Sequence, residues 1–280
     1  MMPPARGLAG VAPCLLLAGL LLAAACAVTP EPPGWSLPPE ILLERLAAEE
    51  AAVTTLRGLA TIRYEGATGG GSASQVVVVA LPDRARLEVL SPVGTAVLLL
   101  VIRGEELALH APARGEYGVG RATRETLSRL TRIPLPAGPL LRLLAGLPPL
   151  PIRPGDARVQ VIREEQAIRV ESVDGPFWQR LWTDPKGTSL ASGEMGEAGG
   201  LLLRFQFGDR RLQDGTPFPY VVSVETAEAA TRVTIRYETV RLNGPVESEL
   251  FELRRPADPG TRILDLSRGP AAGERRWWTS

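Results

Sequence analysis

Apolar and polar residues alternate with a period of two over most of the chain, which is the pattern of half-buried β-strands. In the first half, alternation begins near residue 56, and further strands are predicted at 74–81, 84–90, 95–103, 106–110 and 116–119. Proline and glycine separate these strands at short intervals. Closely spaced strands with short connections predict an antiparallel meander.

Strand patterns resume from about residue 159 and continue to 238, with a good hairpin turn at 184–187. The pentapeptide Thr-Ile-Arg-Tyr-Glu occurs at 61–65 and again at 234–238, a match so short that it favours chance over internal duplication. Roughly ten or more strands predict a mainly β fold. We expect a single large, curved antiparallel sheet, an open and incomplete β-barrel.

Three segments have helical patterns. A helix is predicted at 38–56, with Leu42, Leu46, Val53 and Leu56 on one apolar stripe. Its charged residues are expected largely elsewhere on the helix: Glu44, Arg45, Glu49 and Glu50. Shorter helices are predicted at 123–132 and 138–147. The last of these has leucines nearly all round, so it should be buried on several sides, as a helix covering the concave face of the sheet would be.

The first residues form a targeting segment. An apolar run from Leu8 to Ala25 ends in small residues followed by Cys26, which resembles the lipobox of bacterial lipoproteins. A plain secretory signal or an uncleaved membrane anchor are the alternatives. The predicted organisation is a lipoprotein signal peptide at 1–25, a lipidated Cys26 with a proline-rich tether at 26–37, a half-barrel domain at 38–265, and a disordered tail at 266–280. In the lipoprotein sorting system that the resemblance to a lipobox implies, an aspartate after the cysteine signals retention in the inner membrane. Ala27 at this position therefore implies the periplasmic face of the outer membrane.

Composition excludes several classes of partner and reaction. Lysine plus arginine equal aspartate plus glutamate at 31 each, so no bulk charge favours nucleic acid. His110 is the only histidine, and Cys26 is the only cysteine left after signal removal, so zinc sites and histidine-dependent nucleophiles have almost no ligands or bases available. Glu105 and Glu106 lie near His110, but polar residues at a strand end are the more ordinary interpretation. No cofactor or metal is predicted, and the protein is not expected to be an enzyme.

Two blocks of residues resemble the family of outer-membrane lipoprotein receptors typified by LolB, in the LolA-like fold. A strand leads into Ser91-Pro92-Val93-Gly94-Thr95 and then an apolar strand, where the family has Pro-Leu-Gly-Ser/Thr. Ile-Pro-Leu-Pro at 133–136 and Leu-Ala-Gly-Leu-Pro at 144–148 match the segment that covers the family's cavity. The resemblance extends from about 56 to 151, and beyond it only the strand pattern is similar.

The resemblance implies an apolar cavity that holds the acyl chains of a lipoprotein handed over by a periplasmic LolA-like carrier. The expected lining residues are Val77, Val79, Leu98, Leu100, Leu127, Leu130, Leu140, Leu141 and Leu144. The alternative is that they fill an ordinary core. The resemblance also implies that Pro92, Val93 and Gly94 form a loop that enters the membrane. The alternative is that Val93 folds back onto the sheet and has only a structural role.

Two other functions stay open at this point. One is a structural or assembly lipoprotein that holds a protein partner and no acyl cargo, and the other is a carrier of a different lipid. The residues Arg275-Arg-Trp-Trp278 could contact a membrane interface, although a tail without function is the simpler interpretation. A cavity or a filled core would distinguish the carriers from the assembly protein.

Overall fold

A computed structural model describes residues 38–67, 69–156, 158–184, 186–228 and 230–268. The predicted signal peptide, Cys26, the tether up to residue 37, and residues 269–280 of the tail lie outside these ranges. The predicted half-barrel domain at 38–265 is described apart from four single positions.

The described strands form a single 14-stranded sheet. In chain order they are β1 (Thr55–Gly66), β2 (Gly69–Ala80), β3 (Arg84–Leu90), β4 (Ala96–Arg103), β5 (Glu106–Ala111), β6 (Glu116–Arg121), β7 (Gln160–Arg163), β8 (Ile168–Asp174), β9 (Phe177–Thr183), β10 (Leu190–Glu197), β11 (Gly200–Gln213), β12 (Thr216–Thr226), β13 (Arg232–Leu242) and β14 (Arg262–Asp265). Their order in space is β14-β6-β5-β4-β3-β2-β1-β13-β12-β11-β10-β9-β8-β7.

The sheet is open. Among the described residues β14 and β7 form its two edges and do not pair with each other. All neighbours are antiparallel except β14, which runs parallel to β6 with Arg262 opposite Glu116. The mainly β, unclosed sheet confirms the predicted fold class, and the C-terminal strand extends the sheet at an edge instead of closing a barrel.

The chain leaves the centre of the sheet and returns to it. From β1 it moves outward to β6, crosses one face, and then moves inward from β7 to β13, which pairs with β1. The two copies of Thr-Ile-Arg-Tyr-Glu therefore lie on adjacent strands, with Ile62 opposite Ile235. The two halves of the chain progress in the same direction across the sheet, but the copies lie on the first strand of one half and the last strand of the other. A tandem duplication would place them at equivalent positions, so the topology favours a chance match.

The first helix, α1, spans Pro39–Ala51, and proline is tolerated in its first turn. It buries Leu42, Leu43 and Leu46. The prediction that it continues to 56 is wrong, because Leu56 pairs with Val79 of β2 and with Leu242 of β13. Pairing on both sides satisfies the backbone of this segment as a central strand.

Two further helices lie in the crossing between β6 and β7, as predicted. Thr123 caps α2 (Arg124–Thr131) by accepting a hydrogen bond from the Thr126 amide. In α3 (Ala137–Leu144), Leu140, Leu141, Leu143 and Leu144 are all buried. The helix ends before Gly146, whose φ of +74° favours glycine and whose absent Cβ would lie 2.9 Å from Phe218 and Pro219. We call the face of the sheet that these helices cover the inner face.

The Val76–Val79 run is explained by burial on both faces of β2. Val77 and Val79 are fully buried. Val78 packs with Val101 and Phe251, and Phe251 comes from a short 3₁₀ helix, Ser248–Phe251, that covers the other face. A strand covered on both faces has a continuous apolar sequence instead of an alternating one.

Candidate functional site

A cavity of about 570 Å³ lies between the inner face of the sheet and the helical crossing. Its walls are strands β1 to β5 and β13, and its roof is formed by α3 and the segment just before it. The lining residues are Ile62, Tyr64, Gly70, Gly71, Ser72, Ala73, Gln75, Leu87, Val89, Val97, Leu98, Ala111, Ala113, Arg114, Thr131, Arg132, Ile133, Leu140, Leu144, Val233 and Ile235.

The cavity lies towards one end of the sheet. The β1–β2, β3–β4, β5–β6 and β12–β13 connections all lie at this end, because each pair of strands is antiparallel and in register there. We call it the mouth end. At the opposite end the inner face is packed solid, with Leu56, Val79 and Ile102 completely buried.

Side-chain size along β2 explains why one end is empty. The strand begins Gly-Gly-Gly-Ser-Ala-Ser and continues Gln-Val-Val-Val-Val. The small residues near the mouth leave space above the sheet, while the valines fill it further along. Gln75 stands at the junction, only 4% exposed. The sequence predicted that this strand begins at residue 74, but β2 begins at Gly69, and the small size of residues 69–71 was the signal for a cavity.

The structure brings together some of the predicted lining residues. Leu98, Leu140 and Leu144 line the cavity. Leu100 and Leu130 line a much smaller space beside it. The other four are buried outside the lining of this cavity: Val77, Val79, Leu127 and Leu141.

Two arginines stand at the cavity. Arg132 follows α2 in the left-handed conformation, with φ of 66°, and its amide donates to the Ser128 carbonyl. Its guanidinium lies 5.5 Å from the centre of the Tyr64 ring, and its Nε is buried without a hydrogen-bond partner. Arg114 ends a short 3₁₀ helix, Pro112–Arg114, at the mouth end. Sequence patterns did not identify these arginines, because nothing local distinguishes them from the arginines on the surface.

The β3–β4 turn projects from the mouth end. The Ser91 amide donates to the Thr95 carbonyl, and Gly94 adopts a φ of +81° that glycine tolerates. Val93 at the tip is 86% exposed, so it is not folded back onto the sheet. A β-bulge follows at Val97, and it places both Val97 and Leu98 at the cavity.

A buried ion pair connects α1 to the roof. Glu50, predicted to lie away from the apolar stripe, is only 9% exposed, which corrects that prediction. Its Oε2 accepts hydrogen bonds from Arg142 Nη2 at 2.8 Å and from the Ile152 amide at 3.1 Å. Desolvation by burial raises the pKa of Glu50 above its ordinary value, although Arg142 opposes this effect.

The polar residues near His110 have ordinary structural partners. Glu105 pairs with Arg121 and Glu106 with Arg103, at the other end of β5 from His110. His110 packs edge-on against Tyr117, with ring centres 6.3 Å apart. Within the described ranges, no three histidine, cysteine, aspartate or glutamate residues are grouped so that they could hold a metal ion.

No helix in the described part of the chain is both long and apolar enough to cross a membrane.

No protein-family model matches the chain, and no curated protein matches its sequence. Solved structures do match its fold. A DUF1329 family protein from Desulfovibrio piger has a TM-score of 0.53 at 12% identity, over 76% of this chain and 95% of that one. A LolA superfamily protein from Nitrosomonas europaea has a TM-score of 0.51 at 12% identity, over 78% of this chain and 99% of that one.

A third structure is an outer membrane lipoprotein-sorting protein domain from Vibrio parahaemolyticus. Its TM-score is 0.50 at 11% identity, over 76% of this chain and 95% of that one. At these identities the similarity shows the fold alone. The chain therefore has a LolA-like fold.

Proposed function

We propose that this protein is a non-enzymatic, lipid-anchored protein of the bacterial cell envelope whose cavity binds the acyl chains of lipoproteins. As in LolB, it would receive them from a periplasmic LolA-like carrier and insert them into the outer membrane. The observation that carries the proposal is an apolar cavity that lies at the same end of the sheet as the exposed Val93 turn.

The energetics of acyl transport require such a cavity. Each CH₂ group left in water costs about 0.8 kcal/mol, so a carrier must shield the chain with a comparable apolar area. The cavity walls provide it through Ile62, Leu98, Leu140 and Ile235. Its volume of about 570 Å³ falls within the roughly 300–1,000 Å³ typical of small-molecule sites. A structural or assembly lipoprotein would have no need of this space.

The loop of Pro92, Val93 and Gly94 is proposed as the part that enters the membrane. Pro92 limits the backbone freedom of the turn, and all three residues are exposed. Strands β3 and β4 connect the turn directly to the cavity walls at Val89 and Val97. An acyl chain leaving the mouth would therefore emerge beside the inserted tip. Lipidation of Cys26 would keep the domain at the periplasmic face of the outer membrane.

A carrier of another lipid is the second candidate, and the cavity volume favours it. Taking roughly 30 Å³ for each methylene-sized group, the space suits about one acyl chain, whereas a mature lipoprotein carries two or more. A lipoprotein cargo would then have to leave part of its acyl surface outside this cavity or widen it.

The test is transfer of a radiolabelled lipoprotein from its complex with a LolA-like carrier to the full chain reconstituted in liposomes. We expect the label to move to the protein and then into the bilayer. Binding of free fatty acid without any lipoprotein transfer would refute the LolB-like function and favour the second candidate. Binding of neither would refute both.

A further inference from the structure

The charged residues that line the cavity have one sign. They are Arg114 and Arg132, and in the described part of the chain no carboxylate lines it. The whole chain is neutral, with 31 basic and 31 acidic residues. Arginines on the strands around the cavity follow the usual surface pattern of pairing with nearby carboxylates, as Arg63 does with Glu65 and Arg121 with Glu105. Arg132, at the wall of the cavity, departs from this pattern.

Arg132 is held in place with its hydrogen-bonding capacity partly unused. Its backbone is held at the C-terminal cap of α2, and its guanidinium stacks over the Tyr64 ring. Among the described residues no carboxylate approaches it within ion-pairing distance, and its Nε is buried without an acceptor. The Arg132 guanidinium lies at the cavity wall, so a ligand with anionic oxygens could accept charge-assisted hydrogen bonds from it.

Resting on the second candidate function proposed above, a carrier of another lipid, we infer that the ligand of the cavity is a lipid whose hydrocarbon chain ends in an anionic group, a carboxylate or a phosphate. The anionic group lies at Arg132, with Arg114 adding positive charge at the mouth. The guanidinium fork matches the planar geometry of carboxylate and phosphate oxygens. The chain occupies the apolar space between Ile62, Leu98, Leu140 and Ile235.

Matched photoreactive ligands test the inference. The full chain, reconstituted in phosphatidylcholine nanodiscs at pH 8, is irradiated with palmitate, hexadecyl phosphate or hexadecanol, each with the same mid-chain diazirine. The sites of crosslinking are mapped by mass spectrometry. We expect both anionic ligands to crosslink to cavity residues, with a yield at least about tenfold above that of hexadecanol. A tenfold difference in binding is what the loss of one charge-assisted hydrogen bond would cause.

Variants assign the effect to Arg132. Arg132→Gln should reduce palmitate crosslinking about tenfold and leave hexadecanol unchanged. Arg132→Lys, which keeps the charge but not the fork, should retain part of the preference. Arg63→Gln, an exposed arginine on β1 that does not line the cavity, is the matched control and should behave as wild type.

The outcomes are distinct. Equal crosslinking of all three ligands in the cavity would overturn the anionic selectivity and leave the acyl-binding function intact. No cavity crosslinks from any ligand would overturn both. Displacement of palmitate by inorganic phosphate alone would show an anion site independent of an acyl chain, and this would also contradict the inference.

Discussion

Glu50 of α1 and Arg142 of α3, 92 positions apart in the sequence, form a buried ion pair with 2.8 Å between Oε2 and Nη2. The same carboxylate oxygen accepts from the Ile152 amide, just after the crossing leaves the roof. The other oxygen, Oε1, is buried without a partner. The pair thus holds the N-terminal helix against the roof of the cavity, and the unpaired oxygen makes the ionised form of Glu50 costly.

The pH dependence of stability should reflect this cost. Because burial raises the pKa of Glu50 above 4.5, the native state binds more protons than the unfolded state between 4.5 and the raised value. The free energy of unfolding must therefore fall as pH rises through that interval. Glu50→Gln cannot titrate and should lack this contribution. Denaturant unfolding of both proteins in steps of pH measures the difference. A wild-type protein that gains stability relative to Glu50→Gln over the same interval would contradict it.

Removing only the positively charged member of this pair should strongly destabilise the protein. Arg142→Leu leaves a buried carboxylate without its partner, and we expect a loss of about 3 kcal/mol in the free energy of unfolding. Glu50→Gln combined with Arg142→Leu should recover part of that loss, because no charge is then buried alone. Additive effects in this double-mutant cycle would show that the pair is not coupled.

Tyr237 supports the roof from below. Its hydroxyl donates to the Leu144 carbonyl at the end of α3, and burial raises its pKa. Tyr237→Phe should cost about 1–2 kcal/mol, because a buried carbonyl loses its donor. Tyr220→Phe is the control, since the Tyr220 hydroxyl donates to the less buried Gln213 side chain. If denaturant unfolding shows that both variants lose the same free energy of unfolding, the hydrogen bond to the roof is no more stabilising than the control hydrogen bond.

Membrane insertion should depend on the tip of the β3–β4 turn. Val93→Glu adds a charge to a side chain that is 86% exposed, so stability should change by no more than about 0.5 kcal/mol. Release of cargo into liposomes should fall strongly, while binding in the cavity persists. Val119→Glu, at an exposed valine on β6, is the control. Normal release by Val93→Glu would exclude the tip as a membrane contact.

Local patterns predicted the strands, the turn at 91–94 and the buried leucines of α3, because alternation, turn residues and helical periodicity are encoded by neighbours in sequence. The end of α1 was missed because pairing of Leu56 with β2 and β13 overrides helical periodicity. The burial of Glu50 was missed because its partner, Arg142, is distant in sequence. The same limit applies to Arg132, which faces the cavity only once the crossing is folded over the sheet.

The most direct measurement is binding of a radiolabelled acyl ligand to a protein whose cavity has been filled. Ala73 lines the cavity on β2, whereas its neighbour Ser74 is exposed and does not line it. Ala73→Trp should fold and lose binding at least about tenfold, while Ser74→Trp should bind as wild type. If Ala73→Trp, with an unchanged circular dichroism spectrum, binds the ligand as tightly as wild type, acyl chains do not occupy this cavity.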